Sequence, residues 1–206
     1  MKPAVAIILF LLLISFSFPS FAEDTGEQFT DFWGFHLGTI TLAEIEKKLG
    51  SAKLVETGDA GGYEAKICYR TNAGLVYFLS GEMGGSNHIL LGFGVTRNDE
   101  AKPCSPFPAS QASSKLELAG LRLGMTKTDF SQVIKKKVQW EGNEGRASYE
   151  SKRPITASEL EKLPREAQQM ILRGQSQDFF DVLVSVIGYF SQDRLTEFRV
   201  WKIETQ

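Results

Sequence analysis

The sequence predicts an α+β fold of two tandem units, in which each unit packs one or more helices on a three- to four-stranded antiparallel sheet. Three observations predict it. A glycine-containing strand end followed by a threonine-capped helix occurs twice, at 34–45 and 120–130. After each copy, the apolar residues change from helical spacing to the alternation typical of strands. A stretch with prolines and serines but no periodicity, 98–115, separates the copies and indicates a linker.

The first unit, predicted over 32–97, begins with a helix whose two ends can be recognised. Thr41 and Glu44 form a capping box, because each side chain can satisfy a backbone N–H that the first turn leaves free. An apolar stripe at helical spacing follows: Leu42, Ile45 and Leu49. Gly50 supplies the backbone freedom that a helix C-terminus favours.

Strands are predicted for the rest of this unit. Residues 63–70 alternate between two faces, and the turn 71–74 leads into the apolar run 75–79. A glycine-rich connection over 81–87 precedes a last strand at 88–97. The pattern is that of an antiparallel meander.

The second unit, predicted over 116–206, repeats the helix and then departs from the first. Thr126 and Asp129 begin its helix, and the buried stripe is Phe130, Val133 and Ile134. A helical insertion is predicted near 157–174, with Ser158 and Glu161 as its capping box. The remaining strands are predicted at 138–141, 145–151, 179–190 and 194–203.

The N-terminus predicts export. Lys2 precedes an apolar run over 4–18, and small residues lead to a cleavage point after Ala22, so 1–22 is predicted to be a secretory signal peptide. Residues 23–31 are polar and are predicted to form a mobile tail. The expected location is periplasmic or secreted, with no membrane span after cleavage. An uncleaved membrane anchor is the alternative.

Two cysteines remain after cleavage, and an oxidising compartment favours a disulfide between Cys68 and Cys104. Two buried free thiols are the alternative. A metal site is not predicted, because His36 and His88 lie far from the cysteines in sequence and lack the ligand spacing of zinc sites.

Composition and motifs point away from nucleic acid, cofactors and catalysis. The formal net charge is −2 and the longest run of basic residues is the three lysines 135–137, so no nucleic-acid partner is expected. His36 has no acidic neighbour in sequence, and His88 follows Ser86 and Asn87 at a predicted strand start, so no catalytic residue is predicted. The glycine-rich segment 81–86 lacks the lysine that a phosphate-binding loop requires, so no cofactor is predicted.

One face of the C-terminal hairpin is rich in aromatic and arginine side chains, the composition of a protein-binding hot spot. Alternation along its two strands predicts these residues on that face: Phe179, Asp181, Leu183, Ser185, Ile187, Tyr189, Leu195, Glu197, Arg199, Trp201 and Ile203. The predicted binding residues among them are Phe179, Tyr189, Glu197, Arg199 and Trp201. The alternative is that this face packs against the first unit or the inserted helix.

The segment 123–130, Leu-Gly-Met-Thr-Lys-Thr-Asp-Phe, resembles the signature of outer-membrane assembly lipoproteins of the SmpA/OmlA type. The first copy is similar, with one extra residue between Gly38 and Thr41. Two such units in tandem also resemble the beta-lactamase inhibitor protein family. That resemblance implies helices packed on four-stranded antiparallel sheets and a partner bound across the sheet surface. The chain departs from the lipoproteins by lacking a lipid-bearing cysteine at the cleavage point, and from the inhibitors by having a single possible disulfide.

Together these observations predict an exported, non-catalytic protein-binding or inhibitory module that uses an exposed sheet face. Its expected partner is a protein in the cell envelope or outside the cell. Two alternatives remain open at this point: a structural or accessory factor of cell-envelope assembly, and a hydrolase with an unrecognised site.

Overall fold

The computed structural model describes residues 24–59, 61–97, 103–108 and 116–206. The predicted signal peptide and most of the predicted linker lie outside these residues. The strands are β1 (Asp31–Phe32), β2 (Phe35–His36), β3 (Val55–Thr57), β4 (Glu64–Arg70), β5 (Leu75–Gly81), β6 (Gly92–Thr96), β7 (Ser105–Pro106), β8 (Glu117–Leu118), β9 (Leu121–Arg122), β10 (Gln139–Glu141), β11 (Glu144–Pro154), β12 (Phe179–Ser191) and β13 (Arg194–Thr205). The helices are α1 (Leu42–Leu49), α2 (Lys127–Ile134), α3 (Ala157–Leu160) and α4 (Arg165–Leu172).

A single large sheet joins the N-terminal and C-terminal strands. Its nine strands follow the order β10-β11-β12-β13-β6-β5-β4-β3, with β7 beside β4, and every pair except β4–β7 is antiparallel. The two halves meet where β13 pairs with β6, from Glu197 opposite Thr96 to Trp201 opposite Gly92. The predicted fold class of two tandem helix-on-sheet units is therefore wrong, because one antiparallel sheet dominates the described residues and the helices among them are few and short.

The predicted helix starts at Thr41 and Thr126 are confirmed. Each threonine hydroxyl accepts a hydrogen bond from the backbone N–H three residues later, and Glu44 or Asp129 accepts one from the threonine N–H. The third capping box lies elsewhere than predicted. Thr156 and Glu159 form it instead of Ser158 and Glu161, so α3 begins two residues earlier.

The main core lies between the helices and one face of the sheet, which we call the inner face. Leu42 and Ile45 of α1 are fully buried in the same apolar cluster as Phe78 of β5. On the other half, Phe130 of α2 lies so close to Gly188 of β12 that a Cβ there would come within 2.9 Å of its ring. Burial of these side chains supplies the main favourable term in folding.

Residues 24–31, for which the sequence predicts a mobile tail, pack onto this core. Phe29 is fully buried and its ring lies 5.6 Å from that of Tyr149. Gly26 has a positive φ of 73°, and a Cβ at this position would come within 2.7 Å of the Tyr149 side chain. The close approach of the backbone to this ring therefore requires glycine.

The helical insertion is tied to the inner face by Arg153 of β11. Its guanidinium donates hydrogen bonds of 2.9 and 2.8 Å to Glu159 of α3 and also binds Glu204 of β13. The hydrogen bonds from Arg153 and Thr156 lower the pKa of Glu159 to about 2. In the part of the chain that the structure describes, no helix has the length and apolar character needed to cross a membrane.

Two buried tyrosines donate hydrogen bonds to carbonyl groups at the C-terminal ends of α1 and α2. The Tyr69 hydroxyl donates a 2.6 Å hydrogen bond to the Gly50 carbonyl, and the Tyr149 hydroxyl donates one of 2.6 Å to the Ile134 carbonyl. Burial raises the pKa of Tyr69 to about 12 and raises the pKa of Tyr149 as well. Both phenols are therefore neutral donors near pH 7.

We expect these tyrosines to make the fold sensitive to alkali. Between pH 10 and 12 an unfolded tyrosine loses its proton while folded Tyr69 keeps it, so the unfolded state binds fewer protons and the free energy of unfolding falls as pH rises. Urea titrations at pH 8 to 12 measure this slope. Replacing Tyr69 and Tyr149 by phenylalanine should flatten it and lower stability at pH 7 by about 1–2 kcal/mol per hydroxyl. An unchanged slope in the double variant would contradict the assignment.

Candidate protein-binding surface

The sheet face opposite the helices, which we call the outer face, carries all five predicted binding residues. The pairings Tyr189–Glu197, Ile187–Arg199 and Ser185–Trp201 place these side chains on one side of β12 and β13. Phe179 lies on the same face at the far end of β12, about 33 Å along the strand from Tyr189 at 3.3 Å per residue. The structure therefore brings four of the five residues together and leaves Phe179 apart.

The prediction that Leu195 lies on the outer face is wrong. The register of β12 and β13 shifts between Tyr189 and Phe190, so that Leu195 is opposite Phe190 and one extra residue, Thr196, lies within β13. Leu195 is consequently fully buried, and its side chain lies beside Gly188, next to Phe130. A β-bulge of this kind exchanges the faces of the residues beyond it.

Arg199 is the centre of the cluster. It is half-buried, forms an ion pair with Glu197, and its guanidinium carbon lies 5.6 Å from the centroid of the Tyr189 ring. Burial lowers the pKa of Arg199, but the charge and hydrogen bond of Glu197 outweigh burial and raise it overall. Burial raises the pKa of Tyr189, so its hydroxyl is protonated at neutral pH. The cluster thus offers a fixed cation, a carboxylate and an aromatic hydroxyl.

Two glycines of β6 allow the side chains of β13 to lie across the neighbouring strand. A Cβ on Gly92 would come within 2.8 Å of Cδ2 of Trp201, and one on Gly94 within 3.3 Å of Cγ of Arg199. The glycines therefore leave a shallow trough that the Trp201 indole and the Arg199 stem occupy. The sequence signal for this arrangement is the alternation of the two glycines, which can be interpreted only once β6 is known to neighbour β13.

A pocket of about 250 Å³ adjoins the cluster on the side of the N-terminal strands. Its lining combines apolar, charged and disulfide groups: Lys53, Val55, Glu64, Lys66, Cys68, Tyr77, Leu79, Gly94, Pro103, Cys104, Glu197 and Arg199. The contribution of Lys66, Tyr77 and Leu79 was not predicted, because the two-unit fold places them in a separate unit. On the other side of the cluster, Trp201 and Ile203 line a second recess of about 150 Å³.

The predicted disulfide between Cys68 and Cys104 is confirmed, with the two Cα atoms 4.8 Å apart. Cys68 shares the outer face with Glu64 and Lys66, as its position in the alternation of β4 predicts. The bond holds Pro103 and Cys104 at the rim of the pocket. A disulfide fits an extracytoplasmic protein, because reducing compartments rarely preserve one.

The two histidines lie away from the cluster. The Nε2 atom of His36 lies 2.9 Å from a carboxylate oxygen of Asp31 on an exposed hairpin. His88 stacks on Tyr63, and its Nε2 lies 3.9 Å from a Glu56 carboxylate oxygen. Neither lines the two recesses of the outer face. Across the described ranges, no group of three or more histidine, cysteine, aspartate or glutamate residues could hold a metal ion.

The helices α1, α2 and α3 do not cover the outer face. Both α1 and α2 pack on the inner face, and Arg153 holds α3 there as well. The predicted alternative is that this face packs against the first unit or against the inserted helix. Packing against the first unit does not fit the junction of β13 and β6, which joins the two halves edge to edge.

No family model matches the chain. No curated protein matches it either. One solved structure, from Streptococcus mutans and described as a "putative beta-lactamase inhibitor protein", aligns with 81% of this chain and 82% of its own length, at 5% identity and a TM-score of 0.25. A TM-score this low carries no argument about fold or function. The resemblance to SmpA/OmlA-type lipoproteins finds no support in these comparisons.

Proposed function

We propose that the protein is an exported, non-catalytic protein-binding or inhibitory module, located in the periplasm or secreted, whose partner binds the outer face around Arg199 and Trp201. The observation that carries the proposal is the edge-to-edge junction of β13 and β6, because the halves do not stack on this face and α1 and α2 pack on the opposite one. An aromatic and arginine cluster on an uncovered sheet has the composition and preorganisation of a hot spot.

The surroundings of the cluster support a protein partner. Arg199 is fixed by Glu197 and by the Tyr189 ring, so little side-chain entropy is lost when a partner contacts it. The neighbouring pocket has apolar walls from Val55, Tyr77 and Leu79 that suit an inserted side chain. Rigid aromatic and arginine side chains beside a recess are the usual anchors of protein interfaces.

Substitutions on the outer face test the proposal. The tagged protein is exported, its partner is isolated from the exported fraction, and the affinity of the purified pair is measured by calorimetry. Trp201→Ala and Arg199→Ala should each weaken the complex by about 30-fold or more, since hot-spot truncations cost about 2 kcal/mol or more. Circular dichroism should show that both variants remain folded.

Arg146→Ala is the matched control. Arg146 also lies on the outer face and forms a 2.9 Å ion pair with Glu144, but it lies on β11, two strands from Arg199, and lines neither recess. Its removal should leave affinity unchanged. Equal losses from Arg146→Ala and Arg199→Ala would indicate a general charge effect, and unchanged binding in both Trp201→Ala and Arg199→Ala would overturn the proposed surface.

A further inference from the structure

The two edges of the large sheet are covered to different extents. At one edge, β3 pairs with residues 64–66 of β4, and β7 pairs with Tyr69 and Arg70. At the other edge, β10 pairs only with residues 144–146 of β11. Within the described ranges, no backbone segment pairs with residues 147–154 on the side away from β12. An edge of this kind presents unpaired N–H and C=O groups to another strand.

The charges along this free edge are complementary to those of a second, antiparallel copy of the same strand. Glu150 and Lys152 are both exposed and both lie on the outer face, on either side of Ser151. Lys152 lies over the Phe179 ring, 3.9 Å from its centroid, which keeps its ammonium on this face. Glu150 has no ion pair among the described residues. An antiparallel copy of the same strand would supply its missing partner.

The charges also select one register. Directly opposed residues of two antiparallel strands share a face, so centring the pair on Ser151 places Glu150 opposite Lys152 of the second copy, and Lys152 opposite Glu150. Centring it on Glu150 or on Lys152 places like charges opposite each other, which destabilises a sheet. Centring it on Ser148 requires residues that β10 already pairs.

The chain directly after β11 turns away from this edge. Arg153 points to the inner face, where it binds Glu159 of α3 and Glu204 of β13. The insertion therefore turns over the inner face at the end of β11. The seven residues from 148 to 154 that the Ser151-centred register uses are all free of β10.

We propose that two copies of the protein form a two-fold homodimer in which β11 pairs with β11, centred on Ser151. The two sheets then continue into one another. The symmetry axis is perpendicular to the sheet, so both outer faces point the same way. If the proposed function holds, the dimer presents two Arg199–Trp201 clusters to one side, an arrangement suited to bivalent binding. The dimer itself does not depend on that function.

Cysteine cross-linking tests the register on the purified protein. Ser151 lies on the proposed axis, so Ser151→Cys places two thiols directly opposite each other and should give a covalent dimer under mild oxidation. Ser148→Cys is the matched control, because its counterpart would lie about 20 Å away, at 3.3 Å per residue. A covalent dimer of the Ser148→Cys variant, or none of the Ser151→Cys variant, would overturn the proposed register.

Charge reversal tests the ion pairs by sedimentation over a range of concentrations. Glu150→Lys and Lys152→Glu should each raise the dissociation constant of the dimer by about tenfold, since both copies then hold like charges opposite each other. The double variant Glu150→Lys/Lys152→Glu restores opposite charges and should dimerise like the original protein. A monomer at every concentration, or a dimer indifferent to both single reversals, would overturn the proposal.

Discussion

Replacing Phe198 by alanine should lower the free energy of unfolding by about 3–5 kcal/mol, the usual cost of truncating a fully buried phenylalanine. Phe198 is completely buried and lies where the halves of the sheet join, opposite Val95 of β6 and Gly188 of β12. The cavity would therefore weaken the contact on which both halves depend. Guanidinium titrations of the variant and the original protein measure the difference.

The same titrations should show a single transition for the whole chain, because β13 and β6 make one continuous sheet. Trp33 contacts Phe32 in the N-terminal half, with ring centroids 4.3 Å apart, and Trp140 lies on β10 at the C-terminal edge. Variants that retain only one of these tryptophans report the two halves separately. Two separable transitions would contradict the continuous sheet.

Phe179→Ala serves as the control for Phe198→Ala. Phe179 is only half-buried and lies at the end of β12, so its removal should cost about 1 kcal/mol or less. A loss as large as that from Phe198→Ala would mean that the junction has no special role. In that case the effect would reflect only the removal of a phenyl ring.

Local structure was predictable wherever short-range chemistry determines it. The capping boxes at Thr41 and Thr126 follow from hydrogen bonds within one helical turn, and both helices begin where predicted. The strand pairs on either side of the turns also agree closely with the alternation of the sequence. What the sequence could not predict was the pairing of β6 with β13, because the residues that join lie about a hundred positions apart and nothing local specifies which strand edges meet.

The candidate site, too, was predictable only where local alternation determines it. Alternation correctly placed Glu197, Arg199 and Trp201 on one face. It failed at Leu195, because a bulge between Tyr189 and Phe190 exchanges the faces and bulges leave little trace in a single sequence. The pocket beside Arg199 was not predicted, since most of its lining comes from residues that the two-unit prediction placed in the first unit or the linker.

Removing the disulfide should have an effect as large as that of Phe198→Ala. The bond closes a loop of 36 residues, which in the chain-entropy model stabilises the fold by about 4 kcal/mol. It also holds β7 against β4, where Phe107 is buried and packs 4.8 Å from the Trp33 ring. Cys68→Ser/Cys104→Ser should therefore unfold at a much lower denaturant concentration than the original protein.

Reductant separates the loss of the covalent bond from the effect of the substitutions. Added to the original protein, it should lower the denaturation midpoint towards that of Cys68→Ser/Cys104→Ser, and it should leave the double variant unchanged. Because Pro103 and Cys104 form part of the rim beside Arg199, loss of the bond should also weaken partner binding even at temperatures where the variant remains folded. Equal midpoints with and without the bond would mean that contacts of β7 and Phe107, rather than the covalent link, hold this segment on the sheet.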